Sequence, residues 1–224
     1  DQPKVLERVP VTLSLSEDWI SGIIGNRSSV IDMVKGMIWQ LTALHSYDEL
    51  KLVFIYDKME QSTWEFVKWL PHVWSQEKNV RFVATNASEV KELTAYLEKE
   101  VARREAIDSE ELRQDSGPYY VVFSMHKSLA AKAELFNMLY KSKKNVGFSV
   151  VHLYDELQHL PKECSMVVEF GGNVSKMYDK DDISGQHIAF EPDYFLKQDE
   201  HELAVILANT QLESAVSKFA LPTM

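Results

Sequence analysis

The stretch that decides the fold is residues 19–41, which read WISGIIGNRSSVIDMVKGMIWQL. Its apolar start predicts a β-strand that ends at Gly25, and a helix follows from about Ser28. Apolar residues recur in this helix at intervals of three or four and so share one face: Val30, Val34, Met37, Ile38, Leu41 and Leu44. The stretch is therefore a strand–turn–helix unit, the setting in which loops that bind phosphate occur.

The turn departs from the phosphate-loop motif GxxxxGK[ST]. In that motif the glycines let backbone N–H groups approach the phosphates, the Lys pairs with them, and the hydroxyl binds magnesium. Gly25 can provide the first glycine, but no second glycine and no Lys follow. Val30 and Ile31 stand where Lys and Ser/Thr are expected. The turn therefore lacks the groups that neutralise phosphate charge and hold magnesium.

Two interpretations of the turn remain open. The start of a helix favours an anion, and Arg27 could supply the missing positive charge. Alternatively, Asn26 and the serines cap the helix and bind nothing. The candidate phosphate-binding residues are Gly25, Asn26, Arg27, Ser28 and Ser29.

The rest of the chain alternates between predicted strands and helices. Apolar runs at 50–56, 79–85, 119–125 and 146–153 predict strands buried on both faces, and helical patterns separate them at 62–74, from Asn86 onward, and at 127–141. This order is typical of a parallel sheet covered by helices, so the fold class is α/β. The segments at 106–117 and 179–185 are predicted to be mobile.

The pattern changes after residue 164. Short apolar segments flank the turn Gly171–Gly172–Asn173, which predicts a small antiparallel extension over residues 164–190. A last helix is predicted over residues 199–214. We expect one domain over residues 1–224, with a leading segment at 1–18 and the start of a linker at 215–224.

Composition excludes several classes of protein. The formal net charge is −10, whereas a DNA or RNA motor normally carries a basic surface, so we expect no nucleic-acid partner. The single Cys164 excludes a disulfide framework. The seven histidines lack the spacing of a metal site, and we expect no metal. No apolar run is long enough to span a membrane and no signal peptide precedes Asp1, so we expect a soluble piece of a longer protein.

At this point the chain resembles a known family. The stretches that carry the resemblance are GIIGNRSSVIDMVKGMIWQLTALHSYDELKLVFI, WEFVKWLPHVW, EVKELTAYLEKEVARRE and the closing FALPTM. They are similar to the membrane-proximal, degenerate FtsK/SpoIIIE-type ATPase domain of the coupling ATPase of type VII secretion, the EssC/EccC family. The similarity is greater to the EssC form of Firmicutes. It implies a RecA-like sheet of the P-loop NTPase type.

The resemblance implies a second departure from an active ATPase. Active members carry an acidic Walker B residue after an apolar strand, where it holds magnesium and activates water. The matching strand is YYVVFSM, so Ser124 and Met125 stand where Asp and Glu are expected. A sensor-like polar residue follows the next strand in active members, and His152 is the polar residue there.

The function that we expect is a non-catalytic pseudo-ATPase module. The resemblance implies that it couples membrane segments to active ATPase domains of the same polypeptide, at the cytoplasmic face of the bacterial membrane. It also implies contact with other membrane components of the system, with secreted helical-hairpin proteins, and an oligomeric full-length protein. No cofactor is expected.

Two alternatives stay open. One is a weak or nucleotide-sensing ATPase that binds ATP and magnesium through Arg27, with Asp57 as the nearest carboxylate by topology. The other is a docking module for substrate or for an accessory subunit.

Candidate interface residues are aromatic or basic: Trp64, Trp69, Trp74, Arg103 and Arg104. The favoured alternative for the tryptophans is packing under the edge of the sheet, because Trp64 and Val67 fall on one helical face with Leu70. The favoured alternative for the arginines is a solvated helix end beside Glu100 and Glu105.

Overall fold

The computed structural model describes residues 11–114, 117–171, 175–182, 188–190 and 203–208. The strands within these ranges are β1 (Val11–Ser14), β2 (Ile20–Gly25), β3 (Leu50–Ile55), β4 (Val83–Ala84), β5 (Tyr119–Ser124), β6 (Phe148–Leu153), β7 (Met166–Phe170), β8 (Ser175–Asp179), β9 (Ile188–Phe190) and β10 (Ala204–Ala208). The α-helices are α1 (Arg27–Leu44), α2 (Gln61–Trp64), α3 (Ala87–Glu105), α4 (Ser109–Gln114), α5 (Lys127–Ala130) and α6 (Leu135–Lys141).

The main sheet has eight strands in the order β4-β3-β5-β6-β2-β7-β8-β9. The strands from β4 to β7 are parallel, and their middle members are buried along their whole length, which explains the unbroken apolar runs in the sequence. The predicted α/β class and the parallel sheet are confirmed. The carboxyl ends of β2, β3, β5 and β6 therefore meet at one edge of the sheet.

The antiparallel extension is also confirmed. β8 pairs antiparallel with β7, and β9 pairs antiparallel with β8. The predicted turn between β7 and β8 includes residues 172–173, which lie outside the described residues. The main sheet thus changes from parallel to antiparallel after β7, within the predicted range 164–190.

The helix predicted over residues 199–214 is wrong where the structure describes it. Residues Ala204–Ala208 form β10, which pairs antiparallel with β1 in a separate two-stranded sheet. The sequence AVILA is apolar, with a β-branched pair at its centre, and such residues suit a strand. Val205 is fully buried beside Leu13, so this small sheet contributes to the main core.

Two of the predicted helices are broken. The segment predicted at 62–74 consists of α2 followed by 3₁₀ turns at Glu65–Trp69 and Pro71–Val73. Pro71 begins the last of these turns because proline lacks the N–H that would continue a helix. The segment predicted at 127–141 consists of α5 and α6. Residues 109–114, which were predicted to be mobile, form α4.

The hydrophobic core lies between the sheet and its helices. The predicted apolar face of α1 is buried except for Leu44, which lies at the end of the helix and is exposed. In the described part of the chain, no helix has the length and apolar character needed to cross a membrane. The leading residues 1–10 and the linker predicted at 215–224 lie outside the described residues.

Candidate functional site

The connection from β2 to α1 is shorter than a phosphate-binding loop. β2 ends at Gly25, one residue follows, and α1 begins at Arg27. Gly25 has a φ of +106°, and a Cβ at this position would lie 2.2 Å from the carbonyl oxygen of Phe170. A glycine is therefore required here to let β7 approach, rather than to let a ligand approach.

Asn26 caps α1. Its side-chain Oδ1 accepts a hydrogen bond from the backbone N–H of Ser29 at 3.1 Å, and its backbone carbonyl accepts one from Val30 at 2.9 Å. Its own backbone N–H donates to the carbonyl of Phe170 at 2.9 Å. This is the capping arrangement that the sequence allowed as an interpretation, and it satisfies several N–H groups that would otherwise face an anion.

Arg27 is held by a carboxylate. Its guanidinium forms an ion pair with Glu60, which lies at the end of the 3₁₀ turn Lys58–Glu60 after β3. Both side chains are about one third exposed. The positive charge proposed from the sequence is present at the correct edge of the sheet, but Glu60 already neutralises it.

The two positions after the turn point away from this edge. Val30 is buried in the main core, and Ile31 packs against the same core from a half-buried position. Ser28 is exposed and Ser29 is half-buried, and the hydroxyl of Ser29 lies 3.2 Å from Asn26 Oδ1. The side chains that occupy the magnesium and lysine positions of the motif are therefore part of the packing beneath α1.

Ser124 and Met125 lie at the end of β5, where the Walker B carboxylates were expected. Ser124 is fully buried, and its Oγ lies 3.0 Å from the hydroxyl of Tyr154. Met125 is almost completely buried and forms part of the cleft wall described below. Neither residue offers a charge to this edge of the sheet.

A buried polar network continues from Ser124 across β6. The hydroxyl of Tyr154 lies 3.2 Å from His152 Nδ1, and His152 Nε2 lies 2.9 Å from the hydroxyl of Tyr140. Burial lowers the pKa of His152 to about 3, so this imidazole is neutral at physiological pH. Burial also raises the pKa values of both tyrosines, which keeps their hydroxyls protonated. The network is therefore uncharged throughout.

A cleft of about 460 Å³ opens at this edge of the sheet. Residues that follow β3, β5 and β6 line it together with Arg27, and they include Asp57, Met59, Glu60, Met125, His126, Lys127, Leu153, Tyr154, Asp155 and His159. Carboxyl ends of parallel strands are where α/β proteins bind ligands. His126, Lys127 and Asp155 were not predicted as site residues. Each follows a predicted strand closely, and that position was the available signal.

Asp57 and His126 face each other in this cleft. Asp57 Oδ2 lies 3.6 Å from His126 Nε2, and Asp57 Oδ1 accepts a hydrogen bond from the backbone N–H of Met59 at 2.8 Å. The structure thus places His126 beside the carboxylate that the sequence offers as the nearest one by topology. His126 Nδ1 in turn accepts from the N–H of Leu129 at 3.2 Å and caps α5.

The three candidate interface tryptophans have different environments. Trp64 is fully buried, which excludes it from an interface and confirms the expectation that it packs on one face with Val67. Trp74 is half-buried and stacks with the guanidinium of Arg81, whose carbon lies 4.5 Å from the ring centroid. Trp69 is 77% exposed, so it is the most exposed of the three and is accessible to a partner.

The prediction that Arg104 is a solvated or interface residue is wrong. Arg104 is fully buried and donates hydrogen bonds to the carbonyl oxygens of Pro118 at 2.7 Å and Val146 at 3.1 Å. Its guanidinium carbon lies 5.3 Å from the ring centroid of Tyr120 and 5.5 Å from that of Phe148, and these two rings stack on each other. Helix α3 buries this arginine because the loops before β5 and β6 present unpaired carbonyl groups to it.

Arg103 has the exposure expected of a helix end. Half of its side chain is exposed, and it pairs with Glu100 three residues earlier, as the sequence predicted. In the part of the chain that the structure describes, no group of three or more His, Cys, Asp or Glu side chains could hold a metal ion.

Comparison with curated proteins identifies relatives in protein secretion. The ESX secretion system protein EccC of Geobacillus thermodenitrificans is 24% identical over 167 residues, which cover 75% of this chain and 11% of that protein. The type VII secretion system protein EssC of Staphylococcus aureus strain NCTC 8325 is 22% identical over 208 residues, which cover 91% of this chain and 14% of that protein. The chain thus spans about one seventh or less of the length of these relatives. No protein-family model matches it.

Comparison with solved structures agrees in fold. The cytoplasmic domain of the Thermomonospora curvata type VII secretion ATPase EccC superposes with a TM-score of 0.56 at 11% identity, over 84% of this chain and 26% of that chain. ATPases 2 and 3 of EssC from Geobacillus thermodenitrificans give a TM-score of 0.54 at 10% identity, over 90% and 43%. The fold is therefore RecA-like, and the chain is homologous to part of the EssC/EccC type VII secretion ATPases.

Proposed function

We propose that this domain is a non-catalytic module of a type VII secretion ATPase, which links membrane segments to ATPase domains of the same polypeptide. The observation that carries the proposal is the connection from β2 to α1. Its glycine is packed against Phe170, and its asparagine caps the helix. A phosphate-binding loop instead holds several backbone N–H groups free around an anion. This connection is shorter than such a loop, and Asn26 already engages the N–H groups of Ser29 and Val30.

The residues at the edge of the sheet do not fit a magnesium nucleotide. Val30 and Ile31 belong to the core, so neither a lysine nor a hydroxyl reaches the cleft from the first turn of α1. Ser124 is buried against Tyr154 and offers no charged ligand for a metal ion. Charge neutralisation and orientation of the attacking water each contribute orders of magnitude to phosphoryl transfer. We therefore derive no hydrolytic step for this domain.

A nucleotide-sensing role is the competing proposal, and the cleft supports it. Arg27, Lys127 and the two histidines provide positive or chargeable groups around a space of about 460 Å³, a size typical of ligand sites. Asp57 and Asp155 lie in the same space and would repel phosphate. The ion pair of Arg27 with Glu60 would also have to break before Arg27 met a nucleotide. These costs favour the non-catalytic module without nucleotide.

The exposed aromatic residues support a role through contact with other domains. Trp39 is 52% exposed and stacks with Phe66, with ring centroids 6.0 Å apart. Trp69, three residues after Phe66, is 77% exposed. Aromatic side chains are frequent anchors of protein interfaces. We propose that these exposed aromatic side chains contribute to docking, either against a neighbouring domain or against a membrane component of the secretion system.

Calorimetric titration with ATP and ADP, with and without magnesium, tests the proposal directly. We expect no heat of binding up to millimolar nucleotide, for both the natural chain and Arg27→Ala. Micromolar binding that Arg27→Ala abolishes would overturn the proposal and establish the cleft as a nucleotide sensor. Micromolar binding that Arg27→Ala leaves unchanged would also overturn it and would place the nucleotide elsewhere.

The role within the whole protein needs a second experiment. In the full-length protein, Arg27→Ala and Asp57→Ala are expected to leave export of substrate proteins unchanged, because the cleft carries no catalytic step. Trp69→Ala is expected to reduce export while the variant domain still folds, since it removes a contact rather than core packing. Loss of export in the cleft variants together with normal export in Trp69→Ala would contradict the proposal.

A further inference from the structure

A second cleft lies at the opposite end of β3, away from the edge discussed above. It has a volume of about 840 Å³, and it is formed by the loop between α1 and β3 together with the residues around the 3₁₀ turn Pro71–Val73. The lining residues include Tyr47, Asp48, Lys51, Pro71, Trp74, Ser75, Gln76 and Lys78. The proposed function uses none of them.

Lys51 is the unusual residue of this cleft. It is the second residue of β3 and is only 3% exposed, which is rare for a lysine. Its Nζ lies 5.8 Å from the ring centroid of Tyr47. Within the described ranges it forms no hydrogen bond or ion pair, although buried ammonium groups are normally paired. Lys51 Nζ is not among the fully enclosed polar atoms without a partner, so this nitrogen keeps access to solvent. The structure thus holds a largely buried lysine whose ammonium group lies at the wall of a cleft, with no hydrogen bond or ion pair to the described residues.

The surroundings of Lys51 only partly compensate for its burial. Loss of solvent lowers its pKa, and the negative charges of Asp48 and Glu77 act in the opposite direction without contacting it within ion-pair distance. Lys78, on the rim, adds a second positive charge. The hydroxyl of Ser75 is already engaged with Asn79 and Val80, so it offers little to the ammonium group. An external anion would supply the missing partner.

The remaining wall is apolar and aromatic. Trp74 is held in place by the guanidinium of Arg81, and Pro71 and Tyr47 complete this side. A ligand that fits both features carries a negative charge next to an apolar group. We propose that this cleft binds a segment of polypeptide that presents an Asp or Glu side chain to Lys51 and an adjacent apolar side chain to Trp74.

A polypeptide carboxylate suits the cleft better than a phosphate does. Phosphate sites usually combine several cations or free backbone N–H groups, whereas the wall of this cleft presents the ammonium group of Lys51, with Lys78 on the rim. The volume of about 840 Å³ admits two amino-acid side chains. The chain also spans only 11% of its Geobacillus relative, so further polypeptide adjoins this domain in such proteins.

Titration with two matched dipeptides tests the inference. The probes are N-acetyl-aspartyl-phenylalanine amide and its asparaginyl counterpart, which differ by one charge and not by shape. The indole N–H signal of Trp74 in the ¹H–¹⁵N spectrum of the labelled chain reports binding, and the variant Trp74→Phe assigns that signal. We expect a saturable shift with the aspartyl probe at millimolar concentration and at least tenfold weaker binding of the asparaginyl probe.

Two variants and one further anion complete the design. Lys51→Met preserves the buried aliphatic part of the side chain and removes the charge, so it should weaken binding of the aspartyl probe at least tenfold. Lys78→Met, on the rim, should change the affinity for this probe less than threefold. Equal binding of both dipeptides to the natural chain would overturn the proposal even if Lys51→Met failed to fold. An equal response to inorganic phosphate would overturn the assignment to a polypeptide carboxylate.

Discussion

The hydroxyl of Tyr154 lies 3.0 Å from Ser124 Oγ and joins the carboxyl ends of β5 and β6. The resemblance to ATPases predicts an acidic residue at this position, and the chain carries Ser124 there. An uncharged, partly buried hydrogen bond therefore occupies this position. Restoration of a carboxylate would therefore insert a charge into a fully buried position rather than rebuild a metal site.

The variant Ser124→Asp should consequently lose stability without gaining activity. We expect a loss of about 3 kcal/mol or more in the free energy of unfolding relative to Ser124→Asn, which has the same shape without the charge. Urea denaturation at pH 7 measures the difference, and a phosphate-release assay measures hydrolysis. Equal stability of the two variants, or ATP hydrolysis by Ser124→Asp, would contradict this account of the site.

The neutral state of His152 predicts a dependence of stability on pH. Its pKa is about 3 in the folded chain and 6.5 ordinarily, so between these values the unfolded chain binds the additional proton. The contribution of neutral His152 to the free energy of unfolding is therefore fully present above pH 6.5, and it declines as the pH falls toward 3. The limiting slope is about 1.4 kcal/mol per pH unit.

Comparison with His152→Gln isolates this contribution, because other titrating groups, including His72, are common to both proteins. Thermal or urea unfolding from pH 7.5 to pH 4.5 should show a steeper decline for the natural chain than for the variant. Parallel curves would mean that His152 is protonated in the folded state or remains accessible to water.

The parallel sheet could be predicted because its strands carry their own signal. The runs at Leu50–Ile55 and Phe148–Leu153 are buried at every position, so the continuous apolar sequence follows from burial on both faces. β10 gave no comparable signal. Its partner β1 is distant in the sequence, and a run such as AVILA suits a buried helix as well as a strand.

The candidate site was predictable only in part. The residues around Gly25 were identified because a known motif places them in a continuous segment. The meeting of Arg27 with Glu60, and of Asp57 with His126, depends on which strands are neighbours in the sheet. Strand order is a property of the whole fold, so local spacing could not reveal these pairs.

The role of Gly25 in packing predicts a large effect of a single methyl group. Gly25→Ala meets both an unfavourable φ of +106° and the Phe170 carbonyl, 2.2 Å from the new Cβ. We expect a loss of about 3 kcal/mol or more, the sum of backbone strain and displacement of β7. Gly117→Ala is the matched control, since its φ is +78° but its nearest atom is 3.5 Å away.

Gly117→Ala should lose only the part of the free energy of unfolding that comes from backbone strain, about 1 to 2 kcal/mol. Chemical denaturation of the two variants measures the difference between them. Comparable losses would show that β7 moves aside without cost, and the connection would then have room to change shape around a ligand.

The burial of Arg104 predicts a strong contrast with its neighbour Arg103. Arg104 spans the carbonyl groups of Pro118, Val146 and Gly147, which a lysine cannot reach together because its three donors lie on one nitrogen. We expect Arg104→Lys to cost about 3 kcal/mol or more, since it leaves buried carbonyl groups without donors. Arg103→Ala should change stability by less than about 1 kcal/mol, because its ion pair is half exposed.

A double-mutant cycle with Gly147→Ala distinguishes the contact from general damage to α3. A Cβ on Gly147 would lie 2.3 Å from Arg104 Nη1, so this substitution should displace the guanidinium by itself. If Arg104 acts through these carbonyl groups, the two substitutions together should cost less than the sum of their separate effects. Additive losses would mean that Arg104 stabilises α3 independently of the loop before β6, and the role assigned to its burial would be wrong.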